Sequence, residues 1–112
     1  MNNYITKIVE HLEAIGFKAE SPICWRKHLT TNFTAFFYID YADKRIICQS
    51  QADAGIGEMK RRIFSDQIIT FEQMSLMPLE GIARIVEIRF ISTVHSIAIK
   101  LVQTNLDYGL NK

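Results

Sequence analysis

The segment from Phe33 to Tyr41, Phe-Thr-Ala-Phe-Phe-Tyr-Ile-Asp-Tyr, constrains the fold more than any other part of the chain. In a β-strand, alternate side chains point to opposite faces. One face of this segment would be entirely apolar or aromatic, and the other would still carry Phe36 and Tyr38. A strand with one face in water shows a cleaner alternation. We therefore predict a central strand whose two faces are both at least partly covered.

The segments around this strand predict a helix and further strands. Residues 3–15 place apolar side chains on one stripe at helical spacing, and Gly16 suits a left-handed residue just after a helix. Residues 23–29 alternate as a strand. The segment 46–51 follows a short reversal, so it should return beside the central strand as a hairpin.

The second half of the chain is less uniform. Residues 58–77 contain many β-formers but also candidate helix caps, so strand and helix both remain open there. The two-residue alternation within 86–102 favours a second hairpin over a helix. A polar tail from about residue 105 should be loose. Together these patterns predict a single α+β domain over residues 1–112, in which the N-terminal helix packs on a mostly antiparallel sheet of about five strands.

Composition favours a self-associating cytoplasmic protein. Hydrophobic residues make up 48% of only 112 residues, and the net charge is +1. Some apolar surface should therefore be buried against a partner, and little charge opposes association. We expect a homodimer or higher oligomer whose interface includes the Phe36 and Tyr38 face. No export signal or membrane span is evident, so Cys24 and Cys48 should be reduced, buried thiols.

The residues give no catalytic signature and indicate no cofactor or metal. The function that fits best is a small soluble homo-oligomeric binding or interaction module. Ligand sites are mostly apolar with a few polar groups. Trp25, Phe36 and Tyr38 could accordingly line a pocket for a small apolar ligand, or form an interface.

An alternative function is nucleic-acid binding. Lys60, Arg61 and Arg62 form the densest basic cluster of the chain. Lysine and arginine neutralise phosphates, and exposed aromatic rings stack on bases.

A second alternative is a metal-dependent nuclease. Asp40 ends the central strand, and Glu58-Met59-Lys60 follows the next one. An aspartate followed by Glu-x-Lys, in the order helix, strand, strand, strand, resembles the core of the restriction-endonuclease-like nucleases. The resemblance implies that the carboxylates hold Mg²⁺ and that the lysine helps to activate water. That family has its triplet inside the strand after the aspartate, whereas here that strand carries Gln49-Ser50-Gln51.

Overall fold

Two long helices pack on one face of a five-stranded antiparallel sheet in the computed structural model, which describes residues 1–55, 58 and 60–107. The predicted α+β fold, with an N-terminal helix on an antiparallel sheet of five strands, is confirmed. The strands are β1 (Lys18–Ser21), β2 (Cys24–Thr30), β3 (Phe33–Asp40), β4 (Arg45–Ala54) and β5 (Arg61–Thr70). The helices are α1 (Asn2–Ala14), α2 (Phe71–Ser75) and α3 (Ile82–Asp107), with a 3₁₀ turn at Leu79–Gly81 before α3.

The predicted central strand is β3, which lies in the middle of the order β1-β2-β3-β4-β5. Each strand pairs with the next one in the chain, so the sheet is a simple meander. The β3–β4 hairpin closes at the pair Asp40 and Arg45, and Lys44 takes a left-handed conformation (φ 52°) in its loop. The short reversal expected after the central strand is therefore confirmed.

Helix α1 ends as its sequence predicts. Gly16 has φ +108°, a region that glycine enters without the steric cost that a side chain brings. The reversal lets the amide of Phe17 donate to the carbonyl of Leu12 at 2.9 Å. Ile8 and Leu12 are fully buried against the sheet, so the predicted apolar stripe forms the packing face of α1.

The open choice within residues 58–77 is resolved in favour of a strand followed by a short helix. Strand β5 runs to Thr70, which then caps α2. The Thr70 hydroxyl accepts from the amide of Gln73, and the Gln73 side chain accepts from the amide of Thr70. This reciprocal pair satisfies two amides that a helix start leaves without partners.

The predicted second hairpin over 86–102 is wrong, because this stretch lies within the 26-residue helix α3. The residues that α3 buries against the sheet recur at helical spacing: Ile82, Val86, Phe90, Thr93, Ile97 and Thr104. Apolar side chains also occupy the opposite side of α3, and the two stripes together imitate a two-residue period. The helix continues to Asp107, and residues 108–112 of the predicted tail lie outside the described part.

The two faces of the sheet differ in cover. The face toward α1 and α3 carries the core, with Phe37, Ile46 and Ile69 fully buried. The opposite face, which we call the open sheet face, carries Arg26, Thr34, Phe36, Tyr38, Ile47, Gln49, Phe64 and Ile68. None of these eight residues is buried. No helix in the described part of the chain is both long and apolar enough to cross a lipid bilayer.

Candidate functional site

Phe36 and Tyr38 stack on each other at the centre of the open sheet face. Their ring centroids are 5.7 Å apart and the ring planes differ by 11°. The strand register sets Phe36 between Arg26 and Gln49, and Tyr38 between Cys24 and Ile47. Both rings are half-buried. Burial raises the pKa of the Tyr38 phenol, and the nearby Cys24 and acidic groups add to the shift, so the hydroxyl stays protonated at neutral pH.

A shallow depression of about 450 Å³ adjoins Tyr38 at the end of the sheet where β3 turns into β4. It is lined by Ile23, Tyr38, Ile39, Asp40, Tyr41, Ala42 and Ile47. Most of this wall is apolar, and the polar side-chain groups belong to Tyr38, Asp40 and Tyr41. Its size and lining match those of sites that accept small, largely apolar groups.

Ion pairs surround this apolar centre and balance its charge. Arg26 lies 2.7 Å from Glu20, Arg45 lies 3.0 Å from Asp40, and Arg62 lies 3.0 Å from Asp53. Each distance joins the guanidinium Nε to a carboxylate oxygen. Because each of these three cations faces a carboxylate, the rim does not present a run of uncompensated positive charge.

Trp25 lies on the other face of the sheet from Phe36 and Tyr38. It is buried and packs on Phe37, with ring centroids 5.7 Å apart. Its indole Nε1 is buried without a hydrogen-bond partner among the described residues. A single pocket lined by Trp25, Phe36 and Tyr38 therefore does not form. Ile47 and Ile23, which sequence reasoning missed, take the place of Trp25 beside Tyr38.

The basic cluster is divided between the two faces of the sheet. The side chains of Lys60 and Arg62 share Asp53, at 3.7 Å and 3.0 Å. Arg61 precedes Arg62 in β5 and so points to the opposite face, where its Nη2 donates to Thr104 at 3.2 Å. The cluster predicted from the sequence is therefore not one continuous patch.

The groups required for the nuclease resemblance are not brought together. The Asp40 carboxylate accepts hydrogen bonds from the amide of Asp43 and from the side chain of Arg45. Both bonds lower the pKa of Asp40, and the bond from the amide has the larger effect. Asp40 pairs with the first residue of β4, whereas Glu58 and Lys60 follow its last residue. A ten-residue strand separates the two ends by roughly 30 Å. Met59 lies outside the described residues, among which no group of three or more His, Cys, Asp and Glu side chains could hold a metal ion.

Comparison of the chain with protein-family models, with curated proteins and with solved structures finds no match. The functional conclusion therefore depends on the geometry of the open sheet face and of the elements around it.

Proposed function

We propose that the protein is a non-catalytic, homo-oligomeric binding module whose open sheet face receives an apolar ligand group at the depression beside Tyr38. The observation that carries this proposal is the stacked pair of Phe36 and Tyr38 next to that depression. An aromatic pair on a rigid central strand offers contact area with little loss of side-chain freedom on binding.

The polar groups around the depression fit binding better than proton transfer. The Asp40 carboxylate already accepts two hydrogen bonds, and its lowered pKa keeps it ionised. The raised pKa of Tyr38 keeps its phenol protonated. A general acid or base works best with a pKa near the working pH, and both shifts move away from neutrality. These groups can orient a ligand through hydrogen bonds.

Exposed apolar surface supports the homo-oligomeric part of the proposal. Large side chains such as Phe64 and Ile68 are nearly half exposed on the open sheet face, and the outer side of α3 carries a second apolar surface. A net charge of +1 opposes association only weakly. Covering one of these surfaces with a second copy would lower the apolar area in contact with water.

A chemical-shift titration tests the ligand site. We expect anilinonaphthalene sulfonate, as an anionic probe with an aromatic apolar body, to shift the backbone amides of Ile23, Tyr38 to Ala42, and Ile47. The substitution Ile47→Glu should weaken this binding at least tenfold, because it sets a negative charge in the apolar wall that receives the probe. Phe64→Glu is the matched control, since Phe64 lies on the same face but away from the depression. Shifts confined to other surfaces, or equal effects of both substitutions, would contradict the site.

Nucleic-acid binding is a second candidate with one observation in its favour. An aromatic pair on an open antiparallel sheet is an arrangement on which bases can stack. Arg26 and Arg62 share this face, but each is paired with a carboxylate. Salt-dependent binding of a single strand, lost on Phe36→Ala, would favour this candidate over an apolar ligand.

A further inference from the structure

Helix α3 carries a second apolar stripe on the side opposite to the sheet. The exposed fractions of its large apolar side chains lie between 49% and 70%. These side chains are Ile88, Ile91, Ile99, Val102 and Leu106, and we call them the outer stripe. At ordinary side-chain areas they expose roughly 500 Å² of apolar surface, a patch size that commonly marks an interaction site.

Four of the five outer-stripe residues belong to a series of positions with the spacing of helices that pair side by side. Steps of four and three residues alternate along this series, which also contains the polar residues Ser92 and His95. The positions in this series are Ile88, Ser92, His95, Ile99, Val102 and Leu106, all of them exposed. Alternating steps of four and three keep one seam of a helix facing a partner helix. The series extends over roughly 27 Å of helix.

Charge near the stripe favours a protein partner without strong charge. From Phe90 to Leu106, Lys100 is the only Lys, Arg, Asp or Glu. Its Nζ donates to the carbonyl of Phe64 at 2.6 Å, so it is directed toward the sheet. Helices that lie on membranes carry many Lys and Arg residues along their polar face, and α3 does not. A nearly neutral surface of this kind suits another copy of itself.

The series is self-complementary when two copies of α3 run in opposite directions. With the twofold axis on the outer side of α3, at the level of Ile97 along the helix, each position meets a defined position of the other helix. Ile88 lies opposite Leu106 of the partner subunit, Ser92 opposite Val102 of the partner subunit, and His95 opposite Ile99 of the partner subunit. A parallel pair would instead set the exposed Arg84 beside its own copy, whereas the antiparallel pair places the two Arg84 side chains at opposite ends of the seam.

The area also agrees with a dimer. Two outer stripes and their flanking side chains would bury more than about 1,000 Å² in total, the lower range for a specific interface. We propose that two copies of the chain associate through the outer stripe, packed antiparallel across a twofold axis near Ile97. This inference rests on the proposed homo-oligomeric function and leaves the open sheet face free for its ligand.

Sedimentation at micromolar concentration tests the surface. We expect a dimer for the wild type, and a dissociation constant at least about 30-fold higher for Ile99→Glu, because a large apolar side chain near the centre of the interface is replaced by a charge. Ile99 is 70% exposed, so the variant should fold, which circular dichroism checks. Phe64→Glu and Phe36→Asp are the controls on the open sheet face and should leave the dimer unchanged.

Cross-linking tests the direction of the helices. In a Cys24→Ser background, Ser92→Cys protein mixed with Val102→Cys protein should form a disulfide-linked dimer, and neither protein should do so alone. Cross-linking of Val102→Cys protein to itself would mean a parallel pair and overturn the proposed geometry.

Each remaining outcome separates the inference from the function on which it rests. A dimer weakened by Phe36→Asp and not by Ile99→Glu would move the interface to the sheet, which overturns the inference and keeps the homo-oligomer. A dimer unaffected by both would also overturn it. A monomeric wild type would overturn both the inference and the proposed homo-oligomer. If that monomer sediments with anionic phospholipid vesicles, and Ile99→Glu abolishes this, the outer stripe binds a lipid surface instead.

Discussion

The hydroxyl groups of Ser50 and Thr93 lie 2.7 Å apart in the buried layer between the sheet and α3. Thr93 also donates to the carbonyl of Phe90 at 2.7 Å, so the Ser50 hydroxyl is the donor within the pair. Both residues are fully buried. This bond fixes the position of α3 along β4, because a shift of either element would leave a buried polar group without a partner.

The Ser50–Thr93 bond should show coupling in a double-mutant cycle. Thr93→Val should lower the free energy of unfolding by about 1–3 kcal/mol, since it leaves the Ser50 hydroxyl buried and unpaired. Ser50→Ala should cost less, since the Thr93 hydroxyl keeps its hydrogen bond to the carbonyl of Phe90. The double variant should cost clearly less than the sum of the two single costs. Urea denaturation at one fixed protein concentration measures all four proteins. Strictly additive losses would mean that the two hydroxyls do not interact.

The same pair explains why sequence reasoning missed α3. The two-residue alternation within 86–102 favours a hairpin, and the contact that makes a buried position tolerable for the polar Thr93 comes partly from Ser50, which is distant in sequence. The outer stripe added a second set of apolar positions to the inner one. A helix with apolar residues on both sides has no single amphipathic period, and local pattern alone cannot separate it from a strand.

The strands were predictable to a greater extent than the site. The many aromatic residues of β3 indicate that it is the central strand, and Gly16 indicates the end of α1. The site depends on which side chains share a face across different strands. Trp25 and Tyr38 lie one register position apart but on opposite faces, because Trp25 pairs with Phe37. The register between strands is set by loop geometry and by packing over the whole sheet. The alternation of residues along one strand gives no information about either.

The two thiols should react at very different rates with iodoacetamide. Cys48 is fully buried, as predicted, but the prediction that Cys24 is buried is wrong, because Cys24 is half-exposed on the opposite face of the sheet beside Tyr38. Native protein should therefore be alkylated at Cys24 alone. The reaction should be slow, because the pKa of the Cys24 thiol is raised, mainly by burial. Cys48 should react only after unfolding in urea. Peptide mass mapping distinguishes the sites, and rapid labelling of Cys48 in the native state would contradict its burial.

Alkaline conditions should weaken the fold through Cys48. Burial raises the pKa of this thiol to about 12 in the folded protein, with nearby Arg89 acting in the opposite direction. In the unfolded chain the thiol ionises near its ordinary value of about 8.5. Above that pH the unfolded chain loses a proton that the folded chain keeps, so stability falls as the pH rises toward 12. The contribution is about 1.4 kcal/mol per pH unit.

Denaturant melts of wild type and Cys48→Ala between pH 8 and 11, roughly the window that the two pKa values define, isolate this effect. Other groups titrate in the same range, but they are common to both proteins. We expect the alanine variant to be less stable at neutral pH, because it lacks buried atoms, and to lose less stability as the pH rises. Parallel curves for the two proteins would show that Cys48 does not govern the alkaline slope.

Asp53 should lower the affinity of the basic cluster at residues 60–62 for nucleic acid. Its carboxylate lies 3.7 Å from Lys60 and 3.0 Å from Arg62, so phosphates must compete with it for both cations. We expect the wild type to bind a single-stranded oligonucleotide only weakly at about 150 mM salt, where electrostatic binding is reduced. Asp53→Asn should raise the affinity and steepen its dependence on salt. Replacing Lys60, Arg61 and Arg62 by glutamine in the Asp53→Asn background should remove the gain and flatten the slope by up to roughly two units, about 0.7 for each cation that contacts a single strand. Fluorescence anisotropy over a salt series measures each slope.

Tight binding by the wild type, unchanged by Asp53→Asn and lost in the glutamine variant, would instead show that the cluster binds phosphates despite its ion pairs.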